Sequence, residues 1–194
     1  MAKKLKVRTV KSKEDRKRPS VFIRLKTDEK FVGHAVFEPD PALEKNAGCF
    51  EYLHHWDQQG NTYVPCAGED CPFCMANDNP GTAAMSLWYF PENDKADQIK
   101  VFTMNYSTIE DITDISEEED GILGEKFRVK RMDDKGGYRI RPVGGKKLTK
   151  KEIAELLKLA PDLEEMVLKQ LKAQHERLKA VDALDDDDDD DDDT

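Results

Sequence analysis

A mainly β fold followed by C-terminal helices is what this sequence predicts, on three observations. Short apolar–polar alternations separated by Gly, Asn, Asp and Pro recur between about residues 20 and 145. Helical periodicity appears in force only after residue 148. Between the early and late strands lies a cysteine-rich stretch with few core-forming residues, which needs a reason of its own to be ordered.

The first segment, residues 1–19, has no sustained apolar period and ends at Pro19. It holds nine Lys/Arg, among them Lys3, Lys4, Arg8, Arg16, Lys17 and Arg18, against only Glu14 and Asp15. This composition predicts a flexible basic arm able to neutralise phosphates or simply to be solvated. The basic start is not followed by a signal-peptide core, and no run approaches a membrane span, so a cytoplasmic protein with reduced thiols is expected.

Phe22–Lys26 and Phe31–Phe37 predict the first strands, broken by Glu38-Pro39-Asp40-Pro41. His34, inside an apolar strand, is expected to be structural. Residues 42–86 predict a long insertion built around Cys66, Cys71 and Cys74, spaced C-x4-C-x2-C, with His54 and His55 upstream. Thiolates and a neutral imidazole are the usual ligands of tetrahedral zinc, and a closed set of four leaves no open position for chemistry. The expectation is one structural Zn2+ on His55, Cys66, Cys71 and Cys74. His55 is preferred for lying nearer the cysteines and beside Trp56; His54 and Cys49 stay open as the fourth ligand. Metal binding would supply the free energy that orders the insertion. A redox role for Cys71-Pro72-Phe73-Cys74 leaves Cys66 unexplained and expects a helix N-terminus at the first thiol.

Strands resume at Leu87–Phe90 and Gln98–Met104, a short helix is predicted over Ile109–Ile115, and Glu117–Asp120 reads as a solvated loop. Lys126–Arg131 and Tyr138–Arg141 predict a hairpin turning through Asp133-Asp134-Lys135-Gly136-Gly137. Its alternation puts Phe127, Val129 and Ile140 on one face and cations on or near the other. Cations that follow a phosphate backbone beside rings that stack on bases suit single-stranded nucleic acid. The expected contacts are Arg128, Lys130, Arg131, Arg139 and Arg141 with Trp56, Trp88, Tyr89 and Tyr138. Thr149-Lys150-Lys151-Glu152 predicts a capping box, and Pro161 restarts a second helix, so helices are expected over 146–181. Residues 182–194 predict a disordered acidic tail. Asp182 and the nine aspartates from Asp185 through Asp189 to Asp193 account for the whole net charge of −10.

Some six short strands in a core of residues 20–145, with one helix before the final hairpin, fit a small five-stranded Greek-key barrel of the OB type. Phe31–Pro41, Tyr52–His55, Tyr63-Val64-Pro65-Cys66, Cys71-Pro72-Phe73-Cys74, Trp88–Pro91 and Gly124–Arg131 together resemble the single-stranded-DNA-binding proteins of tailed bacteriophages, in layout those of the T-even phages. That resemblance implies an OB-fold core with a zinc insertion, and sequence-independent protection of single-stranded DNA in replication, recombination and repair. It further implies a basic arm that promotes cooperative self-association along the strand. The acidic tail would recruit replication proteins and compete with DNA.

No enzyme is expected. A zinc nucleobase deaminase needs Glu two residues after a ligand His and P-C-x-x-C downstream, and neither is present; H-E-x-x-H is absent as well. The alternative is a zinc-stabilised adaptor whose acidic tail binds basic protein partners without touching DNA.

Overall fold

The computed structural model describes residues 21–38, 48–58, 62–76, 78–94, 98–119, 121–132 and 137–185. The basic arm, the hairpin turn at 133–136 and tail residues 186–194, including Asp189 and Asp193, lie outside these; Asp185 ends the last helix.

Seven strands form one curled antiparallel half-barrel, to which helices are added at the C-terminal end. They are β1 (Lys30–Ala35), β2 (Cys49–Asp57), β3 (Thr62–Pro65), β4 (Gly81–Tyr89), β5 (Ile99–Asn105), β6 (Lys126–Arg131) and β7 (Tyr138–Pro142). The order is β3-β2-β4-β1-β6-β7, with β5 on the other edge of β4. The helices are α1 (Pro72–Met75), α2 (Tyr106–Glu118), α3 (Lys150–Leu159) and α4 (Leu163–Asp185).

β4 is the strand the sheet is built on. Along one edge it pairs with β5 from Ala83↔Asn105 to Tyr89↔Ile99. Along the other it pairs first with β2, Cys49↔Ser86 to His54↔Gly81, then with β1 at Ala35↔Trp88 and His34↔Tyr89. β1 and β2 therefore meet end to end beside Leu87, whose carbonyl accepts from Val36 N (3.0 Å) and whose N–H donates to Gly48 O (2.8 Å). Gly48 has φ +69°, and a Cβ there would lie 1.9 Å from Val36 O, so this junction requires glycine.

The stretch expected to be a loop at 42–86 thus contains β2, β3 and most of β4, and the part of it between β3 and β4 that stays outside the sheet shrinks to 66–80. Phe22–Lys26 is not a strand: it makes one parallel bridge, Phe22↔Val101, on the outer edge of β5. It then runs to β6, where Arg131 Nη1 donates to Leu25 O at 2.7 Å. The short helix expected at 109–115 is longer, because Asn105 caps it by accepting from Thr108 N at 3.2 Å and Glu117–Glu118 extend it.

Two apolar layers result. Inside the curl, Trp88, Phe102, Met104, Phe127, Val129 and Ile140 pack with Ile109 and Ile112 of α2. Outside it, Val36, Met85, Leu87 and Val101 are covered by Ile153 of α3 and by Leu163 and Val167 of α4. The capping box opens α3: Glu152 N donates to Thr149 Oγ1 (3.2 Å) and Thr149 N to Glu152 Oε2 (2.7 Å). Among the described residues no helix is long and apolar enough to cross a membrane.

Candidate metal centre and cationic sheet face

Alternation along β2 separates the two histidines. His54 faces outward, edge-on to Tyr63 with ring centroids 4.7 Å apart, while His55 faces inward and is buried. β3 pairs His55 with Val64, and Cys66 N donates to Leu53 O at 2.7 Å, so Cys66 follows on the same inward side as His55. A 3-10 turn at Gly68–Asp70 and the one-turn α1, with Pro72 at its first position, bring Cys71 and Cys74 back to them.

The result is a quartet: one ligand atom from each of His55, Cys66, Cys71 and Cys74, all within 4.8 Å of one another. Cys66 Sγ lies 3.5 Å from Cys74 Sγ, and Cys74 Sγ lies 3.3 Å from His55 Nε2. A tetrahedron with Zn–S near ~2.3 Å and Zn–N near ~2.0 Å has edges of about 3.5–3.8 Å, so the donor set fits a structural metal such as zinc. Four protein ligands close the coordination sphere.

Thiol chemistry points the same way. Burial opposes ionisation of Cys71, but backbone N–H groups of Cys74, Ala67 and Phe73 and the Cys66 side chain outweigh it, holding its thiol below the ordinary value. Cys74 is pushed up to about 11, first by its hydrogen bond to Cys66, then by burial and by Cys71. Neighbouring thiolates repel, and a dication between them removes that repulsion. Cys49 belongs to none of this. It lies six residues from His55 along one strand, ~20 Å at about 3.3 Å per residue, and burial followed by the Glu51 charge pushes its thiol up to about 12.

Two residues that spacing could not reveal complete the centre. Asp78 Oδ2 accepts from His55 Nδ1 at 3.0 Å, which fixes the tautomer that presents Nε2 to the metal. Phe73 stacks on the His55 ring, 5.3 Å between centroids and 15° between planes.

The expected nucleic-acid contacts are dispersed. On the outer face of β1, β6 and β7, Lys30 stands opposite Lys130, Lys130 opposite Arg139, and Arg128 opposite Arg141. Lys30, Arg128, Arg139 and Arg141 are exposed; Lys130 is half-buried and paired with Asp28 at 2.7 Å. Lys30 was missed because its short run gave no sign of which strands would flank it.

Trp88 must be withdrawn from the contacts. It is wholly buried among Phe31, Phe37, Phe102 and Phe127, and its Nε1–H donates to Ser86 Oγ at 2.9 Å. No base can reach that ring. Tyr138 shares the inward parity of Ile140 and stands edge-on to Phe102 at 4.9 Å, so it belongs to the core layer. Arg131, also of inward parity, fastens the 21–29 segment. Tyr89 is half-buried against the outer layer. Trp56 is exposed, but on β2, four strand steps from β7. Comparison with protein-family models, characterised proteins and solved structures finds nothing that matches this chain.

Proposed function

We propose that this protein binds single-stranded DNA without sequence preference, through the outer face of β1, β6 and β7, and acts by binding rather than catalysis. The observation that carries the proposal is the register: two cation pairs stand directly opposite across β6 and β7, and a third across β1 and β6. Like charges directly opposite destabilise a sheet, so such a ladder has a physical reason when an anionic backbone lies along it. A half-barrel with α2 packed into its curl is also what an OB-type binding fold would present.

In this reading the metal is zinc and its role is to hold the segment from β3 to α1. The arm adds phosphate contacts and supports self-association along the strand. The aspartate tail, whose charge density resembles a phosphate backbone, competes for the cations and recruits basic replication and recombination proteins.

Fluorescein-labelled oligo-dT and a matched duplex, titrated by anisotropy at several salt concentrations, test this. Single-strand preference is expected, with log affinity falling ~0.7 per phosphate contact per log salt. No single-strand binding, either by the wild type or by a variant with Asp185 to Asp193 replaced by serine, would overturn the proposal and leave the adaptor reading.

A further inference from the structure

Residues 46–94 contain no lysine or arginine, although the chain has 31. That interval includes β2, β3 and the whole metal centre. Within 49–80 it carries Glu51, Asp57, Glu69, Asp70 and Asp78, and three thiolates on a dication would add one further negative charge. A phosphate backbone has nothing to grip here and much to repel it.

The same module presents aromatic surface. Trp56 and Tyr63 are directly opposite on the outward side of the β2–β3 hairpin, edge-to-face with centroids 4.9 Å apart, and remain 43% and 62% exposed. Edge-on contact leaves ring area open, and Trp and Tyr faces attract ammonium and guanidinium groups. Exposed Trp and Tyr over a rigid base are also the residue types that dominate protein interfaces. α4, which touches this hairpin, brings no net cation: its sequence sets Lys169, Lys172, Arg177 and Lys179 against Glu164, Glu165, Glu176, Asp182 and Asp185, and Lys169 is held by Glu165 at 2.8 Å.

We propose that the outward Trp56–Tyr63 face of the metal-bound hairpin docks a lysine- and arginine-bearing polypeptide segment of a partner protein, and that nucleic acid does not run over it. The two surfaces are divided within one sheet. Cations gather on β1, β6 and β7, while aromatic rings in a negative field gather on β2 and β3. The helices α3 and α4 cover the strands between them on that side.

The test uses octalysine as the peptide probe and oligo-dT as the nucleic-acid probe, each added to the full-length protein in which Asp185 to Asp193 are serine, so that the tail cannot capture the peptide. Octalysine is expected to change Trp56 emission, with Trp56→Phe identifying that signal. Trp56→Ala/Tyr63→Ala should lose at least fivefold in octalysine affinity and change oligo-dT affinity less than twofold. Glu69→Lys, at an exposed turn, should give the same pattern without touching the rings, and retained zinc content certifies that either variant keeps its hairpin. Failure of octalysine to bind, equal octalysine affinity in all variants, or loss of oligo-dT affinity in the ring variant would each overturn the proposal. The last outcome would assign the face to bases instead.

Discussion

Replacing Arg139 and Arg141 with threonine should weaken single-strand binding while leaving the fold as stable as before, or more so. Both side chains are exposed on edge strand β7, opposite Lys130 and Arg128. Threonine keeps strand propensity, so the substitution changes charge more than structure. Removing the Arg128–Arg141 pair relieves about 0.2–1 kcal/mol in the free protein, and losing Arg139 relieves less, because Lys130 is already paired with Asp28. In the complex, two lost phosphate contacts should lower the slope of log affinity against log salt by ~1.4, at about 0.7 each. Between 50 and 200 mM salt this makes the wild-type advantage shrink by roughly sevenfold. Anisotropy with oligo-dT measures the slope, and thermal melts measure stability. An unchanged slope would refute the ladder as the phosphate track. A melting temperature lowered in step with affinity would show that these arginines are structural.

Asp78→Asn should lower metal affinity about 10- to 100-fold, read by competition with a chromophoric chelator, because the amide no longer accepts strongly from His55 Nδ1. Gly48→Ala should destabilise the protein by more than the ~1–2 kcal/mol of a left-handed residue alone, since its Cβ would overlap Val36 O; denaturant titration checks this. Cys49 has a folded-state pKa raised from 9.0 to about 12, so its contribution to stability is fully present below 9 and is lost as pH rises through 12. Cys49→Ala should therefore flatten the fall in stability over that window, measured against wild type in parallel melts. Ending the chain at Leu184 should raise affinity for oligo-dT at low salt, and unchanged affinity there would sink competition by the tail.

What could be read from the sequence was what is written locally. The β6–β7 pairing and the Cys66, Cys71 and Cys74 cluster follow from alternation and spacing within a few residues, and the α3 cap from four. β4 was read only at its end, Leu87–Tyr89, and its first part escaped because it is central: Ala83 to Trp88 are buried without a break, which erases the alternation that marks a half-exposed strand. β2 escaped because it spends His55 and Asp57 on the metal side, where polarity reads as loop. Trp88 was misjudged for a different reason. Parity tells which residues share a face, but only the tertiary fold tells which face is inside, and β4 turns Trp88 inward. Tyr138 was an error of parity itself, since it lies two residues from Ile140 and must share its side.

The metal has a definite place in this energetic division. β3 is four residues long, lies at the sheet edge and among the described residues pairs only with β2; an isolated hairpin of that size is marginal in water. Its outward face gains some packing from α4, but its inward face has only Val64 and Phe73 beside the metal quartet, with His55 the buried side chain where a core residue would stand. Removing the metal leaves three thiols and an imidazole facing one another, with only Val64 and Phe73 as apolar neighbours to offset the lost bonds. The rest of the sheet keeps both its layers, around Trp88 and around Leu87. Metal loss should consequently open the chain from β3 to α1 as a local unit, with hydrogen-exchange protection lost there and retained in β1, β5 and β6. Uniform loss across the sheet would instead make the centre a keystone of the whole fold.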